Sequence, residues 1–154
     1  MHTERLHIRK FQADDLGNLF ALLSDEEVMK YLEAPYTREA AEVFLRRCGI
    51  ADEPLVYAVE DHSGAFVGYI IYHPYDADSY EIGWVLHRSH WGKGYASELT
   101  QCLIEDARTR TDNLIIECLP AQTATREIAL KHHFSFVEHR DGLDVYRLPL
   151  NHKT

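Results

Sequence analysis

The stretch Tyr80-Glu81-Ile82-Gly83-Trp84-Val85-Leu86-His87-Arg88-Ser89-His90-Trp91-Gly92-Lys93-Gly94-Tyr95-Ala96 decides how the rest of the chain is read. Tyr80 to Leu86 is an apolar strand, and the residues from Ala96 onward form a long helix with Ala96, Leu99, Leu103 and Ala107 on its buried face. Between them stand Gly92 and Gly94, separated only by Lys93, so backbone N–H groups are exposed with no side chain in the way. The start of a helix adds unsatisfied donors and about half a positive charge. Strand, glycine turn and helix start together make a pocket for a phosphate or pyrophosphate, with Lys93 as an added cation.

Two common phosphate loops do not fit. A P-loop needs glycine where His87 stands and Ser or Thr where Gly94 stands; a dinucleotide fingerprint needs Gly or Ala where Ser97 stands. The strands before the loop also read as antiparallel rather than parallel.

Working outward toward the N-terminus, Val56–Val59, Phe66–Tyr72 and Tyr80–Leu86 read as an antiparallel meander. Its turns lie at Asp61-His62-Ser63-Gly64 and at Pro74 with Asp76 and Asp78. Leu6–Arg9 is a first strand. Helices follow from Ala13 or Asp14 (Leu16, Leu19, Phe20, Leu23), from Ser24-Asp25 through Leu32, and from the N-cap Thr37 to a stop at Gly49. Toward the C-terminus come a strand from Leu114 to Leu119, a helix from Thr123 to about His132, and two strands hinged on Asp141-Gly142. The fold class is α/β, with a mixed, largely antiparallel sheet of six to seven strands flanked by helices.

The 154 residues read as a single domain, 1–154, with no repeat or linker. Neither a signal peptide nor an apolar run long enough to span a bilayer is visible, which points to a cytoplasmic protein without a membrane partner. Cys48, Cys102 and Cys118 are odd in number and set among apolar residues, so they read as buried free thiols in a reducing compartment. A formal charge of -9 argues against nucleic acid and is compatible with a cationic acceptor such as an amine. His87-x-x-His90 and His132-His133 lack a Cys or acidic ligand at metal-binding spacing, and no metal is expected.

Trp91-Gly92-Lys93-Gly94-Tyr95-Ala96 resembles the acetyl-CoA loop of the GNAT superfamily, Gln/Arg-x-x-Gly-x-Gly/Ala, with Trp91 in place of Gln or Arg. It is closest to the form in the RimJ/RimL-like branch, which contains ribosomal-protein N-terminal acetyltransferases. Glu4-Arg5-Leu6-His7-Ile8-Arg9, Asp14-Asp15-Leu16, Leu22-Leu23-Ser24-Asp25 and Tyr80–Leu86 are similar to that branch too. Gln122-x-x-Thr125-Arg126 through Lys131-His132-His133-Phe134 resembles Asn-x-x-Ser…Lys-x-Gly-Phe, with Gln122 for Asn, Thr125 for Ser and His133 for Gly. His133 then requires either a different helix exit or a left-handed histidine.

The resemblance implies an N-acetyltransferase that moves an acetyl group from acetyl-CoA to a primary amine by direct attack in a ternary complex. The acceptor would be a protein or peptide N-terminus, or a small amine (antibiotic, polyamine or amino acid). A non-catalytic acyl-CoA-binding module is the alternative, and the chain would act as monomer or homodimer. Pyrophosphate would lie on the backbone amides of Trp91, Gly92, Lys93, Gly94, Tyr95 and Ala96. The pantetheine arm would pair between splayed strands along Trp84, Val85 and Leu86, with Gln122 and Thr125 in contact.

Amine acetylation needs a neutral amine, and an alkyl amine is only about one part in a thousand deprotonated at neutral pH. Glu81, a carboxylate in an otherwise apolar strand and on the face of Gly83 and Val85, is the lead candidate for the base. Glu117 in Ile115-Ile116-Glu117-Cys118 is second. The tyrosine acid that many relatives carry would fall at Ala129, leaving Thr125, a water, or no acid. Tyr36 and Tyr72-His73-Pro74-Tyr75 read as half-buried packing rather than as a substrate slot.

Overall fold

The computed structural model describes residues 1–151, and among them seven strands and five α-helices build the fold. β1 (Leu6–Arg9) is followed by a short 3-10 turn and α1 (Leu16–Leu23), α2 (Glu26–Met29) and α3 (Arg38–Phe44). Next come β2 (Val56–Asp61), β3 (Phe66–Pro74) and β4 (Ser79–Leu86), then α4 (Tyr95–Ala107), β5 (Asn113–Cys118), α5 (Thr123–Lys131), β6 (Ser135–Arg140) and β7 (Leu143–Pro149). The strands form one sheet in the order β1-β2-β3-β4-β5-β7-β6. β4 and β5 pair in parallel, whereas β1–β2, β2–β3, β5–β7 and β6–β7 pair antiparallel.

Local chemistry sets the element ends. The Asp25 carboxylate accepts from the amides of Glu27 (2.9 Å) and Val28 (3.4 Å), and the Thr37 hydroxyl accepts from Ala40 N (3.1 Å), so both helices start where their caps stand. The second helix ends at Met29 rather than Leu32, and the third loosens into a π-helical segment, Leu45–Gly49, before its glycine stop. Asp141 and Gly142 both take positive φ (53° and 82°), as a two-residue hairpin turn of the twist-matched kind requires.

The chain divides into two compact units. One comprises Met1–Ile71 with Trp84–Tyr95; the other comprises Tyr72–Gly83 with the chain from Ala96 onward. In the first, Phe11, Leu19, Leu22, Leu23, Ala58, Tyr69 and Val85 share a core. β1 is pinned there by Arg9, whose guanidinium pairs with the buried Asp15 at 2.8 Å and with Glu60 at 3.0 Å. Burial alone would raise the Asp15 carboxyl, but the Arg9 bonds outweigh it and hold Asp15 below the usual carboxylate range.

In the second unit Leu99, Leu103 and Ala107 of α4 are fully buried, as the helical period requires, together with Leu114, Ile116 and Ala129. The Tyr72 hydroxyl donates to Asp106 at 2.7 Å, joining β3 to α4, and Ser97 on α4 bonds His132 at the end of α5 at 2.7 Å. Tyr72 packs in the interior, as expected of it. Of the cysteines only Cys118 is buried; Cys48 and Cys102 are half-buried, and all are free. Partial burial pushes each of the three thiols up, away from reactive thiolate.

The α5 exit resolves the His133 alternative. His133 adopts φ 71°, its amide donates to Leu130 O (3.1 Å), and the next amide, Phe134 N, reaches back to Ala129 O (2.9 Å). These are the two bonds of a Schellman cap, so the family's glycine exit is kept with histidine in the left-handed position. A β-carbon there costs about 1 kcal/mol. Replacing His133 by Gly is therefore expected to raise the urea midpoint slightly at unchanged m-value, by up to about 0.5 kcal/mol in stability after the entropy of glycine is deducted.

Candidate functional site

The β3–β4 hairpin frames both groups of candidate residues. Tyr75 N donates to Ser79 O (2.9 Å) at its turn and His87 N donates to Val67 O (2.8 Å) at its open end. Both bonds obey one antiparallel register, which sets His73 across from Glu81 and Gly68 across from Leu86. A β-carbon on Gly68 would lie 2.1 Å from Val85 O and 2.8 Å from Leu86 Cα, so only glycine lets the strands approach this closely.

Beyond Leu86 the chain makes one 3-10 turn, Arg88–His90, capped by the His87 ring, and then the glycine loop. Gly92 and Gly94 both stand in left-handed backbone, φ 74° and 81°, and α4 begins at Tyr95. A β-carbon on Gly92 would meet nothing within 4 Å, and one on Gly94 would meet only the Arg5 guanidinium at 3.4 Å. The loop is thus an open cradle of backbone at a helix start, the form in which amides receive a phosphate.

Three side chains furnish it. Arg5 lies with its guanidinium carbon 4.6 Å from the Tyr95 ring centroid, bringing a cation to the loop that the sequence reading did not select. Its neighbourhood to Gly94 comes from the packing of the N-terminal segment, for which the chain offers no local signal. The His90 ring lies 5.9 Å from that of Tyr95, and its Nδ1 is buried with no hydrogen-bond partner. Burial first, then Lys93 and His87, lowers the His90 pKa, so the ring is neutral at pH 7 and a ligand group could complete its bonding. Trp91, which replaces Gln or Arg, donates from its indole Nε1 to Leu86 O (2.9 Å) and from its amide to Arg88 O (3.2 Å). One of the six amides expected to face a phosphate is therefore already engaged, and the open cradle starts at Gly92. Leu86 O, expected to serve the pantetheine arm, already accepts one bond from Trp91, with one lone pair left.

The second group lies on β3, β4, β5 and β6. β4 pairs with β5 only over Ser79–Glu81 and Asn113–Ile115, although β4 runs to Leu86 and β5 to Cys118. At that last pair stands Glu81, with His73 Nε2 3.5 Å from its Oε1 and side-chain exposures of 23% and 21%. Desolvation is the main cause that raises the Glu81 carboxyl; His73 opposes it and Glu117 adds to it.

Glu117 is differently placed. It accepts a hydrogen bond from the Tyr75 hydroxyl, which in turn accepts one from Arg140, and the Arg140 guanidinium is itself 4.0 Å from the carboxylate. The bond to Glu117 pushes the Tyr75 phenol up to about 12, so its proton is unavailable at neutral pH. Of the two carboxylates expected as bases, Glu117 is engaged by Tyr75 and Arg140, whereas Glu81 has the His73 ring beside it. His73, Tyr75 and Arg140 are additions to the sequence reading. His73 could have been found by carrying the hairpin register two residues from the turn, whereas Arg140 gives no signal of its own. Tyr75 serves a carboxylate rather than the packing expected of it.

Thr125 is half-buried on the first turn of α5. The Gln122 side-chain oxygen accepts from Leu119 N (2.8 Å), capping the loop before α5 and leaving its NH2 to face outward contacts. Ala129, where relatives carry tyrosine, is fully buried. His87 and His132 bond Ser89 and Ser97, and among the described residues no group of three His, Cys, Asp or Glu side chains could hold a metal ion.

Comparison with known proteins agrees with this framework. The family model described as an acetyltransferase (GNAT) domain matches residues 5–135. The chain is 35% identical over 108 residues to an uncharacterized N-acetyltransferase, YnaD, of Bacillus subtilis; the match covers 67% of this chain and 62% of that relative's length. A GNAT-family acetyltransferase from Bacillus anthracis superposes with a TM-score of 0.85 at 28% identity, covering 96% of this chain and 95% of that one. At the level of fold, the ribosomal L7/L12 α-N-protein acetyltransferase RimL in complex with coenzyme A (TM-score 0.79, 16% identity, 99% and 98% covered) is similar. So is spermidine N-acetyltransferase from Vibrio cholerae in complex with CoA and spermine (0.77, 19%, 92% and 92%).

Gly94→Val is expected to weaken binding of coenzyme A at least about tenfold in calorimetric titration, because φ 81° excludes a β-branched residue. Arg5→Met should weaken it about three- to tenfold, with the loss shrinking as salt is raised, as expected for a cation near phosphate.

Proposed function

The chain belongs to the GNAT acetyltransferase family, and from that premise we propose that it transfers an acetyl group from acetyl-CoA to a primary amine by direct attack in a ternary complex. The observation that carries this reading is the open glycine cradle at the start of α4, flanked by Lys93 and Arg5. Bound there, acetyl-CoA supplies a thioester carbonyl to be attacked and a thiolate to leave.

The residues of this chain do the rest. The amides from Gly92 to Ala96, with Lys93 and Arg5, hold the pyrophosphate. Backbone groups along Trp84, Val85 and Leu86, and the side chains of Gln122 and Thr125, guide the pantetheine arm. Glu81, whose carboxyl is raised chiefly by desolvation and is therefore more basic than usual, takes a proton from the incoming ammonium. Glu117, held in place by Tyr75 and Arg140, provides a carboxylate toward that cation. With Tyr75 committed to Glu117, protonation of the leaving thiolate falls to Thr125 or water.

The acceptor we favour is a protein or peptide N-terminus. The support is the likeness of Trp91–Ala96 and of the chain's opening to the RimJ/RimL-like branch. Small amines are the competing class, and the test separates them. Calorimetry with acetyl-CoA and with free CoA is expected to give dissociation constants of about 1–100 μM. Thiol release is then followed with peptides bearing free N-termini and, in parallel, with polyamines and amino acids. Turnover only on small amines would overturn the N-terminal acceptor, and lack of binding to either form of CoA would overturn the transferase reading. Glu81→Gln should lower kcat by about 10²–10⁴-fold at neutral pH with CoA affinity preserved.

A further inference from the structure

The hairpin turn brings an unassigned imidazole against the carboxylate proposed as base, and its tautomer can be read from its bonds. His73 Nδ1 lies 2.8 Å from the carbonyl oxygen of Pro74. A carbonyl oxygen only accepts, so Nδ1 must carry the hydrogen. In the neutral ring Nε2 is then the bare nitrogen, and Nε2 is the atom that faces Glu81 Oε1 at 3.5 Å. A bare nitrogen and a carboxylate oxygen set face to face, both largely shielded from water, form a site for one proton between them.

The geometry points to a His73–Glu81 proton-transfer pair, in which Glu81 receives the acceptor's proton and His73 Nε2 takes it on. This rests on the transferase reading above. The sequence of events is balanced in protons. The ammonium N–H bond breaks toward Glu81 and leaves a neutral amine, and that proton moves from Glu81 oxygen to Nε2, giving imidazolium beside carboxylate. The amine nitrogen then attacks the thioester carbonyl; as the C–S bond breaks, the nitrogen's second proton passes through Thr125 or water to the thiolate, leaving amide and free CoA thiol, and the imidazolium returns the first proton to water. His73 touches no substrate and acts through Glu81, so it is a positioning and proton-accepting residue.

The surroundings favour this pairing over one through Glu117. The groups facing Glu81 are His73 from β3, Tyr75 from the turn and Glu117 from β5, with Arg140 of β6 behind them and Glu138 bound to Arg140 at 3.1 Å. Tyr75 and Arg140 are committed to Glu117, leaving His73 as the one basic side chain among these groups directed at Glu81. The nearby Glu117 carboxylate disfavours a second negative charge on Glu81 and so favours a proton resident on the pair. The pair must lose that proton to act as base, and the rate must therefore rise with pH.

Two measurements test the pair. In the unliganded protein, long-range 15N–1H correlation spectra of the histidine rings should show neutral His73 as the Nδ1–H tautomer. An Nε2–H tautomer would overturn the proposal, since that nitrogen could then only donate to Glu81. In turnover, His73→Gln keeps a side chain able to donate to Glu81 but unable to receive a proton. It should lower kcat about tenfold or more and move the rising limb of kcat against pH to lower pH, with KM for acetyl-CoA within twofold. An unchanged limb with unchanged kcat would also overturn it. Should no amine be acetylated, the kinetic arm fails with the transferase reading while the tautomer still decides the pair.

Discussion

The closeness of β3 to β4 at Gly68 is the constraint on which the functional layout depends. With Val85 O only 2.1 Å from where a β-carbon would be, position 68 has no choice of residue. A slip of one residue would turn every side chain to the opposite face of the sheet. It would redirect Val85 and Leu86, the strand end that delivers the chain into the glycine loop. One glycine thus permits the close approach that β3 makes to the strand end entering that loop.

The two glutamates show how environment separates groups that sequence makes alike. Both sit in mid-strand among apolar residues. Glu117 meets a hydroxyl donor and a guanidinium, which fix its carboxylate in place. Glu81 meets partial burial, an imidazole and the carboxylate of Glu117, and is raised. Two carboxylates alike in sequence thus stand in different surroundings, and the difference is made by His73, Tyr75 and Arg140.

Much of the fold was legible because its signals are local. The period of Leu99, Leu103 and Ala107, the caps Asp25 and Thr37, and the Asp141-Gly142 turn each depend on neighbours within a few residues, and each appears where its chemistry puts it. The glycine loop was legible for the same reason. What the sequence did not reveal was long-range: Arg5 beside Tyr95, and Arg140 and Tyr75 on Glu117, are brought together by strand order rather than by spacing. The helix boundary that shifted, at Leu32, lies where no cap residue fixes the end. His133 is intermediate, since the departure from glycine was visible but only the two cap bonds show how the chain absorbs it.

Trp91 illustrates how a departure from a family pattern can preserve the pattern's purpose. Gln or Arg at this place in the resembling loop offers a polar group or cation, and tryptophan offers neither to a phosphate. Here its indole instead ties the loop to Leu86 O, bracing the turn that the two left-handed glycines must hold open. An unbraced loop with two glycines would lose much of its preorganisation to chain entropy. The cationic charge comes from elsewhere, from Lys93 within the loop and Arg5 against Tyr95. The substitution thus divides between three side chains the bracing and charge that one arginine could combine, and that division accounts for an exposed tryptophan, 49% accessible, at the glycine turn proposed to receive the phosphate.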